Sequence, residues 1–218
     1  MSSNLKELIA ANARYADDFG EKGGLAGEES LRRVGRVRPP EAPGSVAPGE
    51  EPPGHHAETG EAMGFCYFNN VAIAAKYLIE KWEVGKVGII DFDVHHGNGT
   101  QHIFEKDPSV FYYSIHQHPS FAFPGTGREF EEGDQDGQGF TKNSPVLPGQ
   151  GDDIYQKLLQ NEMLPAFERF KPEVLIVSTG FDGHQDDDMS DITLSTEGYS
   201  WIMETIMKLA NQYAGGRV

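Results

Sequence analysis

Two short apolar runs, Val87-Gly88-Ile89-Ile90 and Val174-Leu175-Ile176-Val177, each break off abruptly into chemistry-bearing residues. Such runs are too short for a useful helix but long enough for a strand buried on both faces. The first ends in Asp91-Phe92-Asp93-Val94-His95-His96-Gly97, the second in Ser178-Thr179-Gly180-Phe181-Asp182. If both are strands of one parallel sheet, both polar stretches emerge at the same carboxyl edge, where ligands usually bind.

The flanking pattern supports that arrangement. Asn69-Asn70 can cap a helix, after which Val71, Ala74, Ala75, Leu78 and Trp82 recur at helical spacing. A further strand is expected from Val110 to Ile115. Gly151 to Phe170 reads as mostly helical, with Ile154, Leu158 and Leu159 on its apolar side and a kink at Pro165. A last helix is expected from about Thr196 to Tyr213, where Tyr199, Ile202, Met203, Ile206, Leu209 and Tyr213 form a stripe. Strands alternating with helices predict an α/β fold with a mainly parallel sheet.

The chain before this pattern is different. Ser2 to about Tyr15 reads as a short amphipathic helix. From Gly20 to Gly54, Gly, Pro and Glu dominate, as in Pro39-Pro40, Pro43-Gly44 and Pro52-Pro53-Gly54, which predicts a loop or tether. The expected division is residues 1–49 as helix and tether, and residues 50–218 as the domain. No apolar run approaches the roughly 18 residues of a membrane span, and no apolar segment follows Met1 as in a secretory signal. The single cysteine, Cys66, excludes an intrachain disulfide and fits a reducing compartment such as the cytoplasm. It reads as a small buried hydrophobe. A net charge of −16 argues against direct nucleic-acid binding through a basic face and favours solubility.

Asp91, Asp93 and His95 are spaced two apart, so an extended segment would point them to one face. Carboxylates with an imidazole suit a hard to borderline divalent ion. With Asp182 arriving from the second strand end, three protein ligands would leave a position open for water, as a catalytic zinc requires. A third cluster, Pro52-Pro53-Gly54-His55-His56-Ala57, can supply a general acid and base from adjacent histidines. His116 and His118 read as solvated loop histidines after Ser114.

These clusters, with Gly64-Phe65-Cys66-Tyr67-Phe68-Asn69-Asn70, Asn98-Gly99-Thr100 and Phe123-Pro124-Gly125-Thr126-Gly127, resemble the histone deacetylase superfamily, which also includes acetylpolyamine amidohydrolases and acetoin-utilisation proteins. The resemblance covers roughly residues 50 to 218. It implies an arginase-like α/β fold, helices on both faces of the sheet, and zinc-dependent removal of an acyl group from an acetylated lysine or polyamine. Asp93, His95 and Asp182 match the zinc ligands. His55 and His56 match the tandem histidines beside the attacking water, with His56 the preferred base and Asp91 orienting His55. Asp91, Ser114 and the backbone of Asp93, His95 and Ile115 would surround a structural potassium ion. Phe65 and Phe123 match the walls of a narrow acyl-lysine tunnel, and Gly64 a backbone contact to substrate.

The sequence also departs from the family. Residues 1–45 do not resemble it. Asn98 stands where some members carry aspartate, and a neutral amide stabilises a charged His56 less than a carboxylate does. The sequence reaches Gly215-Gly216-Arg217-Val218 without the glycine-rich loop whose tyrosine helps hold the oxyanion, so the domain is expected to be incomplete and its sheet to carry an exposed edge through which chains could associate. Two other readings stay open: a non-catalytic, zinc-containing binding module or degenerate fragment, and a binuclear manganese ureohydrolase drawing on Asp186, Asp187 and Asp188.

Overall fold

The computed structural model describes residues Gly54 to Val218. The expected helix at Ser2–Tyr15 and nearly all of the tether lie outside the described residues.

Helix α1 (Asn70–Trp82) leads into β1 (Val87–Asp91), α2 (Asn98–Phe104) and β2 (Val110–Gln117). A single 3-10 turn (Gln135–Gly137) precedes β3 (Thr141–Val146). Then follow α3 (Asp152–Leu158), α4 (Leu164–Phe170), β4 (Val174–Ser178) and α5 (Thr196–Tyr213). The sheet has the order β3-β2-β1-β4, and every pairing is parallel.

Period-two alternation assigns the strand residues to two cores. Val87 and Ile89 of β1, with Val110 and Tyr112 of β2, pack beneath α1 and α2, against Val71, Ala75 and Phe104. Ile90, Phe111, Tyr113 and Ile115 point the other way, to Leu159, Phe167, Ile202 and Ile206. Helices thus cover both faces, as the resemblance implied, and β1 and β2 are buried throughout. Gly88 makes the second interface possible: a Cβ there would stand 2.6 Å from the Phe167 ring and 2.7 Å from Leu175.

The helix signals were specific. The Asn69 side chain accepts from the Ala72 N–H at 3.0 Å and caps α1. Ser195 caps α5 by accepting from the Gly198 N–H at 3.0 Å. Each such cap is worth about 1 kcal/mol. In the α1 stripe the correction is Ala74, which is exposed while Ala72 is buried. The long helix expected from Gly151 is instead two α-helices joined by a turn of π-helix, Leu159–Met163. Pro165 stands at the start of α4, where its missing N–H costs least.

Strand β3 was not anticipated. Its core, Lys142-Asn143-Ser144-Pro145, carries no apolar run, and among the described residues it pairs only with β2, where an edge tolerates Pro145. Strand β4 was expected to be fully buried, yet Val174, Ile176 and Val177 are only partly so, because β4 forms the other edge among the described residues. Its Leu175 N–H donates to the Arg217 carbonyl at 3.1 Å. No described helix is long and apolar enough to cross a membrane.

Candidate metal centre

Strands β1, β2 and β4 bring three polar residues level at the carboxyl edge of the sheet. Asp91 pairs with Ser114 on one side and Ser178 on the other, and all are fully buried. Beyond Asp91 the chain turns instead of continuing extended, which corrects the expectation of one shared face. Aspartates make the turn themselves. Asp91 Oδ1 accepts from the Asp93 N–H at 3.3 Å, and Asp93 Oδ1 accepts from the His95 N–H at 2.8 Å. Asp91 therefore meets His55 and Tyr112, whereas Asp93 and His95 meet Asp182.

Asp182 is delivered by the segment after β4. Its Oδ1 accepts from the Val94 N–H at 3.1 Å, and its Oδ2 lies 2.8 Å from His95 Nδ1. Asp93 Oδ1 stands 3.4 Å from the same nitrogen. One ligand atom from each of Asp93, His95 and Asp182 falls within 4.8 Å of the others, the only such group of His, Cys, Asp or Glu among the described residues. Gly180 leaves the room, since a Cβ there would collide with the Asp93 carboxylate.

This donor set fits a divalent metal. Two carboxylates converging on one point need a positive charge between them. His95 can provide it: burial opposes its charge, but the hydrogen bonds it donates to Asp182 and Asp93 outweigh burial and push its pKa up to about 10. Burial likewise opposes ionisation of Asp182, yet His95 and the Val94 N–H hold its pKa below the usual range. A dication would replace that proton. Two oxygens and one imidazole nitrogen suit a borderline ion such as zinc. The side chains of Asp93, His95 and Asp182 are 6%, 15% and 22% exposed, so the centre opens to solvent on one side. Asp186, Asp187 and Asp188 are exposed and take no part in the group, which leaves no second set of bridging acids among the described residues.

Beside this centre the two adjacent histidines are held in opposite states. His55 Nδ1 donates to Asp91 Oδ2 at 2.8 Å, and its Nε2 lies 3.7 Å from Asp93 Oδ1. Burial lowers its pKa, but Asp91 and Asp93 overcome that and push it up to about 9. His56 has no such acid. Burial, then the neighbouring His55 charge, push its pKa down to about 3. The rings are 4.1 Å apart, so a charge on one disfavours a charge on the other. Tyr112 also donates to Asp91 Oδ2, at 3.0 Å, and Gly97 has no Cβ where one would press on Asp91, Tyr112 and His55.

Phe123 sets its ring edge-on to His56 at 5.0 Å between centroids. Gly64 lies against the same imidazole, where a Cβ would strike the ring. Phe65 and Phe123 are 55% and 46% exposed, so these walls stand open among the described residues. Cys66 is buried, donates to the Gly64 carbonyl at 3.3 Å, and burial pushes its thiol pKa up.

His116 is a correction. It is fully buried on β2, which runs two residues past its expected end, and donates from Nε2 to the Gly127 carbonyl at 2.8 Å. Its Nδ1 then accepts from Ser114 Oγ at 2.8 Å, leaving the serine lone pairs free. Fully buried Asp91 lies in register beside Ser114, so a buried hydroxyl and a buried carboxylate stand side by side at this strand end. Sequence reasoning also missed Tyr112, which reads as an ordinary strand aromatic, and Glu58, two residues after His56.

The Histone deacetylase domain family matches residues 30–218. The chain is 42% identical over 166 residues to histone deacetylase 14, chloroplastic, of Arabidopsis thaliana, covering 76% of this chain and 39% of that protein. It is 39% identical over 167 residues to a histone deacetylase-like amidohydrolase of Pseudomonas aeruginosa, covering 77% and 44%. Among solved structures, the HDA15 HD domain superposes with a TM-score of 0.71 at 41% identity, over 74% of this chain and 47% of that one. An acetylpolyamine aminohydrolase from Burkholderia pseudomallei gives 0.69 at 37% identity, over 72% and 46%. The chain thus spans less than half the length of these relatives. The fold, the site at the strand ends and these likenesses agree: the chain belongs to the histone deacetylase family.

Proposed function

We propose that this chain carries the metal-holding part of a zinc-dependent amidohydrolase that removes an acetyl group from an acylated lysine or polyamine. The observation that supports it most is a buried pair of histidines beside the Asp93, His95 and Asp182 group, one bonded to Asp91 and the other only to the neutral Asn98. When bound, zinc at Asp93, His95 and Asp182 would polarise the amide carbonyl and acidify a water molecule. His56, neutral near pH 7, takes a proton from water and later returns one to the leaving amine. His55, kept cationic by Asp91, stabilises the developing negative charge. Gly64, Phe65 and Phe123 would border the substrate, whose methylene stem suits aromatic walls. Asp91, Ser114 and the carbonyls of Asp93, His95 and Ile115 would hold a structural potassium ion. The single, buried thiol supports placing this chemistry in a reducing compartment such as the cytoplasm.

One observation favours slow turnover, or a binding role in place of catalysis. Tyr112 spends its hydroxyl proton on Asp91 and is not free to steady an oxyanion. Lack of one such donor costs about 10²–10³ in rate. The test is a fluorogenic acetyl-lysine assay of the zinc-loaded 218-residue chain, beside His56→Ala and beside a version extended through a relative's tyrosine loop and following strands. We expect slow, zinc-dependent turnover that the extension raises about 10²–10³-fold and that His56→Ala abolishes. Acetyl-lysine binding with no turnover, even when extended, would favour the binding module.

A further inference from the structure

Asn98 occupies the position at which a carboxylate would support His56, yet a carboxylate stands one hydrogen bond further out. His56 Nδ1 lies 2.8 Å from Asn98 Oδ1. Asn98 Nδ2 donates to Glu58 Oε1 at 2.6 Å, and more weakly to Met63 Sδ at 3.3 Å and the His56 carbonyl at 3.4 Å. Glu58 Oε1 also lies 2.8 Å from Nδ1 of the half-exposed His102. We propose that Glu58 is a positioning residue that sets the tautomer of His56 through Asn98. This rests on the deacylase reading for its purpose, not for its physics.

An amide side chain can present either end to a neighbour, and the network must choose between them. Glu58 chooses here, because a carboxylate only accepts hydrogen bonds. Turned the other way, Asn98 would set its own oxygen against the Glu58 oxygen. The charge-assisted bond to Nδ2 is among the strong ones, so Oδ1 must face His56. His56 Nδ1 must then carry the proton and donate it, which leaves Nε2 with its lone pair. That is the tautomer able to accept a proton from water. With the amide reversed, Nδ1 would accept from Asn98 Nδ2, and Nε2 would already be protonated. A catalytic histidine held in the wrong tautomer loses up to about 10⁴ in kcat.

The sequence places the three residues for this task. Asn98 opens α2 and is 2% exposed, so its amide has no water to turn to. Glu58 lies two residues beyond His56 on a segment held at both ends: Ala57 N–H donates to the Gly54 carbonyl at 3.1 Å, and Glu58 N–H to the Glu61 carbonyl at 3.0 Å. Gly99 lets α2 approach this segment, since a Cβ there would collide with the Ala57 carbonyl.

The experiment reads the imidazole directly. Two-bond 15N–1H correlations of the labelled 218-residue chain distinguish protonated from unprotonated ring nitrogens of His56 without substrate. The intact chain should show Nδ1–H at His56. Glu58→Gln, whose neutral amide can offer either end, should give a mixture or the Nε2–H form. Asn98→Asp alone sets two carboxylates together. Combined with Glu58→Gln, the polarity of the bond is reversed, and Nδ1–H should return. His102→Asn, which removes only the outer partner of Glu58, should leave the His56 pattern unchanged. Nε2–H in the intact chain, or undiminished Nδ1–H in Glu58→Gln, overturns the proposal. If Glu58→Gln fails to fold, the double variant decides: recovery of fold and Nδ1–H supports the relay, and failure to recover overturns it. Hydrolysis is scored separately. In the extended chain Glu58→Gln should lower kcat at least tenfold with KM little changed. An intact chain with Nδ1–H and no hydrolysis would count against the deacylase reading and leave the relay standing.

Discussion

The two strand ends that form the centre are built to different standards. After β1, residues from Asp91 to Thr100 are buried, apart from the half-buried His95, and their polar atoms are bonded to one another, to His55 and to His56. After β4, Phe181 and residues Gln185 to Met189 are exposed, and Asp182 reaches the centre on an open turn. That turn is pinned by Asp182 Oδ1 accepting from the Val94 N–H, by Ser190 Oγ donating to the Asp182 carbonyl at 3.0 Å, by the Gly183 N–H donating to Tyr199, and by a backbone bridge in which Leu194 N–H donates to Gly183 and Gln185 N–H to Leu194. The first end is thus part of the folded core, and the second carries a candidate ligand to it. Damage at β1 should therefore cost both structure and metal, and damage at β4 chiefly metal.

The largest effect should come from Asp91→Asn. Asp91 is wholly buried and receives His55, Tyr112 and the Asp93 N–H. Breaking one partner of such a buried pair costs about 3–5 kcal/mol. Urea unfolding of the metal-free variant should show that loss, together with weaker metal retention. A midpoint unchanged from the parent would break the comparison. Tyr112→Phe should cost less, about 1.5–3 kcal/mol for one hydrogen bond to a charged group, since Asp91 keeps His55. Its metal content should remain near that of the parent. Asp182→Ala should cost metal-free stability about 1.5–3 kcal/mol through its lost bonds to the Val94 N–H and His95, less than Asp91→Asn because the side chain is partly exposed, while metal is lost. A collapse of metal-free stability there would show that both ends belong to one core. Ser195→Ala, remote from the metal, should cost about 1 kcal/mol through the lost α5 cap and leave metal binding intact.

Legibility in the sequence followed the same division. The strands β1 and β2 announce themselves by apolar runs because they are buried on both faces, and α5 by its stripe. Strand β3 is hidden because an edge strand needs no continuous apolar face, so Thr141 to Ser144 carry no strand signal. The ligand residues were legible as residue types at strand ends. Their geometry was not: the Asp91-Asp93-His95 spacing suggested a single extended face, whereas aspartate side chains bonding their own backbone fold the segment into a turn. His116 reads as a loop histidine because the expected strand stops at Ile115, one residue before it. The Asn98 change read as a loss of charge beside His56. Only the fold shows that Glu58 restores a carboxylate one bond away, because a contact between residues 40 positions apart leaves no local pattern.

The central claim is that Asp93, His95 and Asp182 form one mononuclear centre, and metal stoichiometry tests it most directly. The purified chain, stripped with a chelator and titrated with zinc, should bind about one ion per chain by elemental analysis and calorimetry, and Asp182→Ala should retain less than about a tenth of it. Two tightly bound manganese ions per chain, or zinc binding undiminished by Asp182→Ala, would contradict the account.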